Sequence, residues 1–196
     1  MTPRIGPAVH EAMQCAERRG RKRNPPASRR VGMPFETPNL LPEDVDVPRR
    51  IETDDFTVRP LTVADADRDF EAVTSSRDRL RGTFGPDHGW PPEDLTPEQN
   101  RIDVAWHHKE FQRRDAFTYA VVDPDETVEL GCVYIQPTRA PGYDAAVYFW
   151  VSDVGVDRGL ADDIDTVVRR WIDETWPFES VAYPDRGIPW SEWGPG

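Results

Sequence analysis

The stretch from Ala145 to Trp176 constrains the fold more than any other part of the chain. Ala145–Val151 reads AAVYFWV, an apolar run in which Val147, Tyr148, Phe149 and Trp150 are β-branched or aromatic, and it predicts a buried strand. A polar elbow follows, from Ser152 to Gly159. Beyond it Leu160, Ala161, Ile164, Val167, Val168, Trp171 and Ile172 recur at steps of three and four, which predicts a helix with one apolar stripe. Asp162, Arg169, Arg170 and Asp173 fall on its other side. A strand running through a glycine-bearing elbow into a helix can aim backbone N–H groups and a helix N-terminus at an anion.

The 196 residues suit one domain with tails, and the 20 prolines indicate that part of the chain does not pack. A net charge of −12 argues against general binding to nucleic acid or anionic membrane. The average hides an asymmetry. Arg4, Arg18, Arg19, Arg21, Lys22, Arg23, Arg29 and Arg30 crowd the first thirty residues, against only Glu11 and Glu17. Cys15 sits in that basic segment and Cys132 in an apolar strand, so no disulfide is expected and a reducing compartment fits. No apolar run approaches the ~20 residues that span a bilayer, and the N-terminus lacks the apolar middle of a secretion signal. The expected location is the cytoplasm.

Taken in order, residues 1–50 read as a basic and then proline-rich tail without packed structure. Val9–Arg19 could form a short helix, and Pro25-Pro26 end any further one. This segment is a nucleic-acid arm, a solvated tail, or leader preceding a start at Met33. Order is expected from Ile51. FTVRPLT (Phe56–Thr62) is a short strand whose proline suits a sheet edge. Thr62 with Asp65 forms a capping box for a helix that buries Ala66, Phe70 and Val73. The glycine- and proline-rich run to Leu95 is a loop, in which Trp90 is an anchor on the core or part of a substrate wall. Thr96 and Pro97 start a second helix reaching about Asp115. Its His108 shares a face with Val104 and Phe111 and His107 lies at the margin, with no HxxxH or HExxH spacing for a metal. FTYAVV (Phe117–Val122), a turn at DPDET, and ELGCVYIQ (Glu129–Gln136) predict a hairpin. ESVAY (Glu179–Tyr183) gives a last strand, and residues 185–196 are too broken for another element.

The order is β-α-α-β-β-β-α-β, an α+β pattern with an antiparallel meander and a helical crossover to a parallel strand. Over about residues 54–184 this order resembles the GNAT superfamily of N-acetyltransferases, shortened by the last helix and strand pair. In that family the strand–elbow–helix unit holds acetyl-CoA, through Gln or Arg, two variable residues, Gly, a variable residue, then Gly or Ala. The corresponding positions are Val156, Asp157, Arg158, Gly159, Leu160 and Ala161; Gly159 and Ala161 match, and Val156 departs from the pattern. A diphosphate needs close backbone approach and nearby positive charge. Arg158 alone supplies the charge, while Asp153, Asp157, Asp162 and Asp163 crowd the same turn.

The resemblance further implies that backbone N–H groups near Trp150, Val151 and Ser152 polarise a thioester carbonyl. It also implies that a tyrosine protonates the departing thiolate, for which Tyr183 is the nearest candidate. Glu129, Asp144 and His107 are candidate bases. The expected activity is acetyl-CoA-dependent transfer to a primary amine of a small molecule or peptide, directly and without a metal. The alternative is a non-catalytic relative that keeps the sheet for binding or oligomerisation. The last strand leaves an open edge, which a homodimer or the C-terminal tail would cover.

Overall fold

The computed structural model describes residues 40–194; the Val9–Arg19 helix, the basic arm and the Met33 start lie outside them. Six strands form one sheet in chain order: β1 Ile51–Glu52, β2 Thr57–Pro60, β3 Phe117–Val122, β4 Glu129–Pro137, β5 Ala145–Val151 and β6 Val181–Ala182. All neighbours are antiparallel except β5 and β6, which run parallel. The helices are α1 Ala66–Ser75, α2 Arg77–Leu80, α3 Pro97–Arg113, α4 Asp153–Asp157 and α5 Ala161–Thr175. This is the expected α+β architecture, with β1, α2 and α4 added.

The sheet is held between two unlike layers. On one face Tyr119, Val121, Val133, Ile135, Val147 and Phe149 pack with Ile164, Val168, Trp171 and Ile172 of α5 into a single core. Each such buried side chain contributes about 1.5–3 kcal/mol of transfer free energy. Tyr119 meets Trp171 edge-on at 4.9 Å. The other face carries Ala120, Cys132, Tyr134 and Trp150 and lies toward α1 and α3; His107 of α3 meets the Tyr134 ring at 5.4 Å.

Helix starts follow the sequence. Thr62 and Asp65 form their capping box ahead of α1, with Thr62 N–H donating to Asp65 Oδ2 at 2.8 Å. Thr96 Oγ1 accepts from Gln99 N–H at 3.2 Å, Pro97 occupying the first turn of α3. The α3 histidines are the reverse of the expected arrangement. The buried positions are Asn100, Val104, His107 and Phe111, so His107 turns inward while His108 is half-exposed and faces Gln112 at 3.1 Å. Asn100 sets this phase, a polar residue that an apolar stripe cannot reveal.

Two further differences concern edges. β2 is not an edge strand, because β1 pairs along its outer side; Pro60 sits at its last position, opposite Tyr119. The packed chain also begins before Ile51. Leu41 is 1% exposed, and Leu40 N–H donates to Arg114 O at 2.7 Å. Arg114, the left-handed residue ending α3, gives its guanidinium to the carbonyls of Leu41 and Val45. Tyr119 Oη donates to Pro48 O at 2.7 Å. Residues 40–48 are thereby tied along the end of α3 and β3, although nothing in their composition repeats.

Candidate active site

The register between β3 and β4 decides what the inner face of β4 offers. Val122 pairs with Glu129 and Val121 with Gly131, leaving Leu130 as the extra residue of a bulge. The bulge restores Glu129 to the face of Cys132 and Tyr134, which strict alternation would deny it. Gly131 is required at the same place: a Cβ there would lie 2.2 Å from the Trp150 carbonyl oxygen on β5.

Glu129 is 2% exposed, and one of its carboxyl oxygens lies within 4.8 Å of one of Asp69 of α1, itself 5% exposed. Asp69 Oδ2 also accepts from Asn100 Nδ2 at 2.7 Å. Two buried carboxyl groups this close favour a proton on one of them, because like charges repel. Burial, and then the neighbouring Asp69 charge, push the Glu129 carboxyl well up; burial also raises Asp69. Neither Glu129 oxygen has a hydrogen-bond partner among the described residues. The pair is sealed from solvent. Asp69 escaped the sequence reading, though it lies three residues after Ala66 and four before Val73 on the buried face of α1. Cys132 is free and buried beside the pair, with its thiol pushed well up by burial. Tyr134 Oη accepts from Trp150 Nε1 at 3.2 Å, closing a polar row beneath β5.

The remaining candidate bases are structural in their contacts. Asp144 Oδ2 accepts from the N–H groups of Glu179 and Ser180 at 2.8 and 3.0 Å, fastening the approach to β6. His107 Nδ1 faces Glu110 Oε2 at 3.2 Å. Trp90 is an anchor: it is 9% exposed and packs on Phe84 at 5.0 Å and Trp150 at 6.2 Å.

The elbow differs from an open glycine loop. Ser152 caps α4, its Oγ accepting from Gly155 N–H at 3.2 Å and donating to Glu129 O at 3.2 Å. Gly155 is there for packing, since a Cβ would sit 2.6 Å from Val151 Cγ1 and 2.9 Å from Leu130 O. The N–H groups of Val156, Arg158, Gly159 and Leu160 donate to the carbonyls of Ser152, Val154, Val156 and Gly155 at 2.9–3.0 Å. They point inward, not toward an anion. Gly159 has φ +76°, open to glycine at little cost, with nothing within 4 Å of a built Cβ. Donors that the helix itself leaves over begin only at Ala161, in the first turn of α5. Arg158 lies 3.7 Å from Asp123, whose carboxylate is held below its usual range, against the effect of burial, by the N–H groups of Val128 and Thr127.

Beside this elbow the sheet parts. β5 pairs with β6 only at Ala145–Val181 and Ala146–Ala182. From Val147 to Val151 the outer edge of β5 has no strand partner among the described residues. The parting therefore opens toward the elbow and the start of α5. Tyr183 stands where it begins, half-buried under the Arg169 guanidinium at 4.2 Å, its phenol pushed up to about 12 mainly by burial.

The chain is similar in fold to solved acetyltransferase structures. The ribosomal-protein-S5-alanine acetyltransferase of Vibrio fischeri is 22% identical, with a TM-score of 0.50, over 65% of this chain and 67% of that one. A probable acetyltransferase is 12% identical, with a TM-score of 0.55, over 68% of this chain and 72% of that one. The fold is that of the GNAT acetyltransferases. No family profile matches the sequence, and no curated protein matches it. The GNAT fold here ends its regular structure at β6, and residues 183–194 return as irregular chain with a single bridge between Pro184 and Ile188.

Proposed function

We propose that this chain is an acetyl-CoA-dependent N-acyltransferase that acts on a primary amine of a small molecule or a peptide. The observation that carries the reading is the parting of β5 from β6 after Ala146, which leaves a length of strand edge facing a helix N-terminus. An extended amide-bearing arm can pair with such an edge as a missing strand would. The first turn of α5, from Ala161, offers helix-start donors to a diphosphate, with Arg158 the nearest cation. Trp150, Val151 and Ser152 line the route of the arm; Val156 and Leu160 pack behind the elbow, and Gly159 lets the chain turn without a side chain in the way.

In this reading the amine attacks the thioester carbonyl directly. The oxyanion is stabilised by a backbone N–H of the β5 edge, and the thiolate leaves as the tetrahedral adduct collapses. Tyr183 keeps its proton at neutral pH and can give it to the thiolate. Glu129 is enclosed with Asp69, so it takes no step with substrate. The acceptor proton passes to solvent.

A second reading is favoured by the inward amides of the elbow: the chain keeps the fold as a binding module without turnover. Thiol release from acetyl-CoA, followed colorimetrically against a panel of N-terminal peptides and small amines, separates the two. Amine-dependent release supports the enzyme. Saturable donor binding without release under any acceptor supports the module.

A further inference from the structure

After Ala182 the chain does not continue along β5. The Tyr183 carbonyl accepts from the N–H groups of Arg186, Gly187 and Ile188 at 3.2, 2.9 and 3.2 Å, and Asp185 N–H donates to Ile188 O at 2.8 Å. Asp185 takes φ +64°, which tightens the turn. Pro184, with no N–H to donate, cannot extend the ladder. The result is a hook.

The hook spans the gap between β5 and α5. It carries the Arg186 guanidinium to 3.9 Å from the centroid of Phe149, on the unpaired stretch of β5. Phe149 is only 3% exposed beneath it. Across the gap, Arg186 Nη1 reaches Asp165 Oδ1 of α5 at 3.0 Å. Arg169 Nη2 donates to Arg186 O at 3.2 Å, while its Nε holds Asp165 Oδ2 at 2.7 Å. Further along, Trp190 stacks on Tyr148 with planes 13° apart. No backbone hydrogen bond joins residues 183–194 to β5 beyond Ala146 among the described residues. The attachments are side-chain contacts, and the ion pair is about a third exposed on each side. Contacts of that kind are individually weak and reversible.

We propose that Pro184–Ile188 is a strap across the donor cleft, with Arg186 occupying the space over Phe149 that the donor's arm takes when it binds. This rests on the reading that the parted edge of β5 receives acyl-CoA. Donor binding then requires release of the strap, and its observed affinity is reduced by the fraction of molecules with the strap open. Apolar Phe149 stays covered in the free protein, and the charge that covers it is held by Asp165 and not by the strand.

The test uses free coenzyme A as the probe, titrated calorimetrically into the full chain and into the Arg186→Ala and Asp165→Asn variants, each first shown to melt cooperatively. Arg186→Ala removes the occupant, and Kd is expected to fall about tenfold. Asp165→Asn loosens the latch without removing the arginine, and an intermediate gain of about threefold is expected. If wild type binds and both variants bind equally or more weakly, the strap is overturned while the donor site stands. If none of the three binds at millimolar coenzyme A, the donor reading falls and the strap falls with it.

Discussion

Replacing Glu129 by Gln should make the fold more stable at neutral pH and leave it nearly unchanged in acid. The side chain is 2% exposed and lies beside Asp69, and its carboxyl is pushed well up by burial and by that neighbour. The folded protein therefore retains a proton that the unfolded chain gives up above the ordinary glutamate value of 4.5. The stability tied to that proton is fully present below this pH. It is lost as the pH rises toward the folded value, at about 1.4 kcal/mol per pH unit per proton. Gln keeps the shape, donates an N–H to Asp69 and titrates nowhere in this window. From pH 5 upward the variant should gain on the wild type, by at most about 1.4 kcal/mol per pH unit while the folded glutamate keeps its proton. Urea unfolding of both proteins at pH 5, 6 and 7, with the m-value unchanged, measures it. A difference between the two that stays constant with pH would refute the retained proton.

Three further outcomes follow from the same contacts. Gly131→Ala should cost about 3 kcal/mol or more, because its Cβ would stand 2.2 Å from a backbone carbonyl that cannot move without parting β4 from β5; a change in urea midpoint worth under about 0.5 kcal/mol would contradict this. Arg59→Met should cost about 3 kcal/mol at pH 7, since Arg59 reaches Asp65, which is 1% exposed, at 2.8 Å and also holds Glu126. Burial alone would raise Asp65, but Arg59 and the Thr62 hydrogen bonds hold it below its usual 3.8, so this penalty should shrink as the pH falls below that value; unfolding at pH 3 and pH 7 checks it. Gly159→Glu should remove coenzyme A binding by calorimetry, while Gly159→Ala, strained by φ +76° but meeting no atom, should lose about 1 kcal/mol of stability and keep binding.

Most of the sheet and α5 were legible because their periodicities are strong, α5 showing a continuous stripe and β3, β4 and β5 apolar runs of strand length, whereas α3 was legible from its start at Thr96 and Pro97. β1 was not, since two residues carry no alternation, and its partner consequently looked like an edge. The phase of α3 was misread because Asn100 is buried by its bond to Asp69, thirty-one residues away. The elbow looked like a loop because Gly155 lowers helix propensity; its reason lies in Leu130 and Val151, which only the fold brings near. Glu129 stood out as a charge opening an apolar strand, but the bulge that turns it toward Asp69 leaves no mark in the sequence. The hook after β6 was equally hidden, because its anchors on Phe149 and Asp165 follow from where the chain returns.

The central claim is that the parted edge of β5 and the start of α5 receive an acyl-CoA, and the melting temperature with and without acetyl-CoA tests it most directly. At a hundred times Kd a ligand adds about 2.7 kcal/mol, which for a domain of this size raises Tm by about 5–10 °C. The account predicts a rise of that order, saturating with acetyl-CoA and absent in Gly159→Glu. A melting temperature unmoved at millimolar acetyl-CoA would contradict it.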